Sequence, residues 1–322
     1  MEIEFVRWII LAIVSVILTF AITPWIGPGA LHPAKVLAGD PLDRQIFIQF
    51  RISRTLLAMV AGGCLSLAGC LFQAMLRNSL ATPYTLGVSS GAALGAVVFI
   101  CAGIPAVWLG AILGAALVLL IVLGFALHQT QLSAHALILA GVSINSVCSA
   151  LIMLLHSFAG FTQSFSITSW LIGGVDALPF SRLALFAAFA APACAFAIWQ
   201  APAWNLLAVG EHWAAARGAS VRRLMIGGYI VGSLLAAITV SLTGPIGFVG
   251  LLVPHLVRNV TGADHRLLLP CSLLFGSSFL AICDAFGRTA LAPADLPVGV
   301  VTALLGGPGL VWMIRSQHAR SL

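Results

Sequence analysis

Residues 55–76 read Thr-Leu-Leu-Ala-Met-Val-Ala-Gly-Gly-Cys-Leu-Ser-Leu-Ala-Gly-Cys-Leu-Phe-Gln-Ala-Met-Leu, without one Asp, Glu, Lys or Arg. As an α-helix this stretch extends about 33 Å, enough to cross the roughly 30 Å hydrocarbon core of a bilayer. Its alanines and glycines suit helices that approach one another closely in lipid.

The same pattern recurs on both sides of it. Apolar segments fall at 5–26, 86–104, 106–127, 136–158, 182–203, 223–243, 246–260, 267–287 and 297–314. Together with 55–76 they predict an all-α membrane protein, a polytopic bundle of ten transmembrane helices in a single domain covering residues 1–322. Gly91/Gly95 and Gly110/Gly114 have the small-xxx-small spacing of helix contacts. Segment 246–260 is short and holds Pro254, His255 and Arg258. It reads as a broken span tucked inside the protein, where irregular backbone is tolerated.

Composition agrees. The 322 residues are 61% hydrophobic and 7% charged, with mean hydropathy +1.10. A soluble domain carries about 25% charged residues, so this chain cannot build a water-facing surface. The net charge of +6 comes from basic residues set singly or in pairs between apolar runs. That pattern speaks of membrane topology and against nucleic acid as a partner. Arg7 precedes a run from Trp8 to Ile22 that is long for a signal peptide, so it reads as a retained first helix. Ten crossings place both termini on one side. With the termini in the cytoplasm, the inner segments carry more Lys and Arg than the outer ones, as the positive-inside rule asks. Two hydrophilic stretches then stand out, an outer loop at 27–54 and an inner loop at 203–223.

Several chemistries lack their residues. The single lysine, Lys35, is in no phosphate-binding loop, so any ATPase would be another polypeptide. The seven cysteines form no CxxC pair and read as small buried hydrophobes. His156 and His255 have no second ligand one helical turn away, so no bound metal or cofactor is expected. Asp284 is the strongest candidate for an ionisable group inside a span. Arg288 at i+4 makes an ion pair the plainer reading, with an ion-coupled secondary carrier as the alternative. No nucleophile elbow or metalloprotease motif points to an enzyme.

Three blocks carry a family resemblance. They are Arg-Ile-Ser-Arg at 51–54 with 62–73 and 77–95; Gly-Pro-Ile-Gly-Phe-Val-Gly-Leu-Leu-Val-Pro-His-Leu-Val-Arg from Gly244; and Asp-Leu-Pro-Val-Gly-Val-Val-Thr-Ala-Leu-Leu-Gly-Gly-Pro from Asp295. In this order the chain resembles the FecCD permeases, the type II ABC importer permeases for iron siderophores, haem and cobalamin. The resemblance implies a non-catalytic permease of the bacterial inner membrane, paired with a second copy or a homologue. It also implies a partner ATPase pair that uses ATP and Mg, and a periplasmic substrate-binding protein. Residues matching the family's ATPase-coupling helices are Leu207, Gly210, Glu211, Ala214, Ala215, Arg217 and Gly218. Ala214, Ala215 and Gly218 would give a low-profile contact face. Arg51, Arg54 and Arg288 match arginines that dock the binding protein, with Ser53 where the family has proline. Ala134 and His135, in the stretch from Gln131, match a cytoplasmic gate. Asn78, Pro83, Gly87 and Gly91 match a structural turn and helix start.

Overall fold

The computed structural model describes residues 2–29, 31, 33–128 and 134–320. Among these there is helix and no strand. The first half holds α1 (Glu2–Ile22), α2 (Pro33–Ala38), α3 (Pro41–Gln45), α4 (Ser53–Leu76), α5 (Val88–Cys101), α6 (Val107–His128), α7 (Ala134–Phe158) and α8 (Phe161–Ile172). The second half holds α9 (Phe180–Trp199), α10 (Ala201–Val209), α11 (Glu211–Ala216), α12 (Val221–Thr243), α13 (Val249–Thr261), α14 (His265–Ala290) and α15 (Val298–Arg320).

Each of the ten apolar segments contains a helix, and among the described residues seven helices are long and apolar enough to cross a membrane. Val88–Cys101 and Val298–Met313 are shorter apolar helices, and α13 has 13 residues. The expected count of ten crossings is therefore not reached by length alone. At about 1.5 Å per residue, α13 is only about 20 Å long. It follows an extended stretch after Gly244, and Pro254 lies within it. Irregular backbone here is packed inside protein, where its polar groups find partners: Gly174 N donates to Thr243 O at 2.8 Å.

The stretch from 27 to 54, expected as a loop, is helical over much of its length. Asp40 caps α3 by accepting from the N–H groups of Leu42 and Asp43, at 3.0 and 3.3 Å, with Pro41 opening the helix. A π-helical turn at Ile46–Ile52 then carries the chain into α4 without a break, giving one helical run over Pro41–Leu76. Arg51 and Arg54 are thus helical residues. Local capping rather than burial accounts for the start of this run, since α2 and α3 bury no residue and the π-helical turn buries only Arg51.

α4 occupies the centre. It packs against α9, α10, α12, α13 and α14, and 89% of its most apolar window is buried, against 11% for α1. α5 and α6 meet through the glycine pairs read from the sequence. A Cβ on Gly95 would collide with the Gly110 carbonyl, and one on Gly91 would lie 2.7 Å from the Gly114 carbonyl oxygen. Gly95→Val should therefore cost about 1–3 kcal/mol or more by overpacking. Gly124→Val, at a site with open space, should be neutral. Thermal unfolding in detergent compares them, and equal melting temperatures would disprove the glycine contact.

Candidate functional site

One end of α4 carries a buried charge cluster. Arg54 Nε lies 3.0 Å from Asp284 Oδ1, and Arg54 Nη1 lies 2.9 Å from Asp295 Oδ2. Arg288 Nε lies 3.1 Å from Asp284 Oδ2, the i,i+4 ion pair expected from spacing. Arg288 also donates to Thr23 O at 3.3 Å, and Arg51 donates to Pro28 O at 2.6 Å. Asp284, Arg288 and Arg51 are 1%, 2% and 7% exposed. The three arginines singled out for docking therefore share one end of the bundle, but two of them point inward. Only Arg54, with Asp295, reaches the surface. Desolvation explains the arrangement: a guanidinium enclosed by helices needs carboxylates and carbonyls in place of water. Asp295 was not recognised as a partner from the sequence. Its position at the head of the Asp-Leu-Pro-Val-Gly block was the available signal.

The other end of α4 meets the segment at 203–223, which folds as two short helices, α10 and α11, around Gly210. Gly210 adopts φ 157°, ψ 149°, a backbone conformation that L side chains rarely adopt, so the sharp bend requires glycine. Glu211 opens α11 and accepts from Arg77 at 3.0 Å, just beyond α4. Arg77 itself ends α4 in the left-handed conformation. Leu207 and Ala214 are fully buried and anchor the two helices to the bundle. Ala214 therefore does not belong to the outward face expected for it. It occupies the inner side of α11, while Ala215, Arg217 and Gly218 are exposed.

The outward surface is instead led by Val209 and Trp213, 71% and 62% exposed. Sequence reading passed over them because in so apolar a chain they are not distinctive. A second tie fixes α10: Asn205 Nδ2 donates to Asp264 Oδ1 at 2.7 Å, and Asn205 Oδ1 accepts from His265 N at 2.8 Å. Asp264 also caps α14 through Arg266 N. Burial pushes the Asp264 carboxyl up, but the bonds from Asn205 and the Arg266 N–H outweigh it and hold it below the usual carboxylate range.

A third feature is a polar stripe. Asn145, Ser146 and Ser149 are exposed on α7, and Ser166, Thr168 and Ser169 are exposed on α8. Hydroxyl and amide groups on the outside of a membrane helix favour water or another chain over lipid. Of the gate residues, Ala134 is buried at the start of α7 and His135 is exposed. Residues 131–133 of that stretch lie outside the described residues. No grouping of three or more His, Cys, Asp or Glu suited to a metal occurs among the described residues.

The fold is that of a helical membrane protein with the α10–α11 pair at one end of α4 and a buried charge cluster at the other. The chain belongs to the FecCD transport family, whose profile matches residues 4–316. It is 36% identical to the hemin transport system permease protein HmuU of Yersinia pestis, over 85% of this chain and 84% of that one. It is also 36% identical to the vitamin B12 import system permease protein BtuC of Klebsiella pneumoniae, over 92% and 88%. A solved structure described as a metal-chelate type ABC transporter in an inward-facing conformation superposes with TM-score 0.89 at 29% identity. It covers 96% of this chain and 99% of that one.

Removing one member of the buried cluster strands the others. Asp284→Ala should destabilise by about 3–5 kcal/mol, because Arg288 loses its counter-charge in the interior. Asp284→Ala combined with Arg288→Leu should recover part of that loss, since an apolar replacement removes the stranded charge. Detergent melting curves that rank the double variant below the single one would refute this account.

Proposed function

We propose that this chain is the permease subunit of an ATP-binding cassette importer of the bacterial inner membrane. Its cargo is a ferric siderophore or a chemically similar large chelate, haem or cobalamin. The hemin and vitamin B12 permeases among its relatives support that cargo class. The observation that carries the proposal is the α10–α11 element: two anchored helices that present Val209 and Trp213 outward and are pinned to the central helix through Glu211 and Arg77.

In this proposal the ten helices all cross or enter the membrane as one domain, with both termini and α10–α11 in the cytoplasm. The Arg54 end then faces the periplasm. A separate ATPase pair, using ATP and Mg, grips α10–α11 through Leu207, Gly210, Glu211, Ala214, Ala215, Arg217 and Gly218. Of these, Leu207 and Ala214 act as anchors, and the exposed residues act as contacts. A binding protein docks at the Arg54 end, where Arg51 and Arg288 hold the shape of the site. Two permease chains enclose the pathway, with the stripe at Asn145, Ser146 and Ser149 along it and Ala134 and His135 near its cytoplasmic closure. Nucleotide binds the two orientations of the complex unequally, and that difference supplies the bias of alternating access. The chain itself makes and breaks no covalent bond.

The rival reading, an ion-coupled carrier built on Asp284, gains no support, because that carboxylate is buried between Arg54 and Arg288. A relay group needs an open path to water.

Two experiments test the proposal. Glu211→Ala should uncouple ATP hydrolysis from transport in proteoliposomes, and the exchange of charges in Arg77→Glu with Glu211→Arg should restore part of the coupling. The pair is half exposed, so its own contribution is about 0–1 kcal/mol and the effect is on coupling more than on folding. Transport that proceeds at full rate without any ATPase would sink the whole reading. Separately, Ser146→Cys should react with a water-soluble thiol reagent, and the lipid-facing Leu117→Cys should not. Equal protection of both would remove the stripe from the pathway.

A further inference from the structure

A cavity of about 660 Å³ opens beside the Arg54 end of the bundle. Its walls include Phe165 and Trp170 of α8, and the charged groups on its lining are Arg54, Asp176 and Asp295. Arg54 is already held by two carboxylates, Asp284 at 3.0 Å and Asp295 at 2.9 Å. Asp295 is 46% exposed and engages Arg54 through one oxygen only, Oδ2. Asp176 is exposed and has no hydrogen bond or ion pair with any described residue. The lining therefore holds one arginine whose charge is shared with the interior and two carboxylates with capacity left. Trp170 adds an aromatic surface of the kind that attracts cations.

From this lining we infer that the cavity is a socket for a basic side chain, an arginine or lysine of the extracytoplasmic binding protein. The inference rests on the proposed function and deepens it. The arginines that sequence suggested for docking are mostly withdrawn into the interior. Although Lys35, Arg44 and Arg182 are exposed at this end, the charge lining the cavity itself is net acidic, two carboxylates against Arg54. A planar guanidinium fits between two carboxylates and an aromatic wall better than any neutral group does. Several such pairs orient a partner and raise its rate of arrival more than they raise affinity, and salt screens them.

The test uses the full chain reconstituted with its ATPase, and the binding protein that stimulates that ATPase. Asp176 is exposed and has no partner among the described residues, so Asp176→Asn should leave folding and basal ATP hydrolysis unchanged. It should weaken docking about twofold to fivefold at low salt, the range for a partly exposed ion pair. The weakening should fade as salt rises. Asp176→Lys should weaken docking further, and replacing one basic residue of the binding protein by glutamate should restore it. If wild type is stimulated and Asp176→Asn docks equally well at low salt, the socket is refuted and the importer reading stands. If Asp176→Asn changes the KM for cargo while docking is unaltered, the cavity is a cargo subsite and the inference is overturned. If wild type shows no stimulation by any binding protein, the importer reading fails first.

Discussion

The protein depends on α4 lying against its neighbours at the distance of bare backbone. A Cβ at Gly69 would collide with the Gly250 carbonyl, and one at Gly276 would lie 2.7 Å from the Gly62 carbonyl oxygen. Inside a bilayer, burying apolar side chains between helices brings little gain, because lipid tails are as apolar as leucine. Close packing and interhelical hydrogen bonds must do the work instead. The short distance also lets Gln73 donate to Gly250 O at 3.2 Å while accepting from Arg258 at 3.0 Å. A larger residue at these crossings would separate the helices and strand those polar groups.

A helix packed this tightly is a stiff element, and its two ends carry the two candidate sites. Over Ser53–Leu76 it is about 36 Å long at 1.5 Å per residue. Arg54 is tied to Asp284 and Asp295 at one end, and Arg77, just past the other, is tied to Glu211. α14 runs the opposite way alongside, with Asp264 capping it beside Asn205 and Asp284 near its far end. Two antiparallel helices thus join the charge cluster to the protruding α10–α11 element. Both sites bear on the same pair of helices.

The sites were legible to different depths. The Asp284–Arg288 pair follows from i,i+4 spacing alone and is present at 3.1 Å. The glycine pairs of α5 and α6 follow from their spacing and do cross each other. The bend at Gly210 was readable because only glycine suits it. The Arg54–Asp295 and Arg77–Glu211 pairs were not readable, because their members lie far apart in the chain and either could pair with many others. The inward turn of Ala214 was equally hidden, since a six-residue helix has no periodic pattern long enough to mark its buried side.

By itself, the sequence determined that this is a helical membrane protein of one known transport family. A chain with 7% charged residues has no other solvent than lipid, and hydrocarbon tolerates backbone only when its hydrogen bonds are made internally. Those are properties of composition and of local hydrogen bonding, so they can be read along the chain. Only the tertiary structure decided which charges are buried and which are offered to a partner. That outcome depends on the energy of removing each charge from water against what its neighbours return, and the neighbours are assembled by folding.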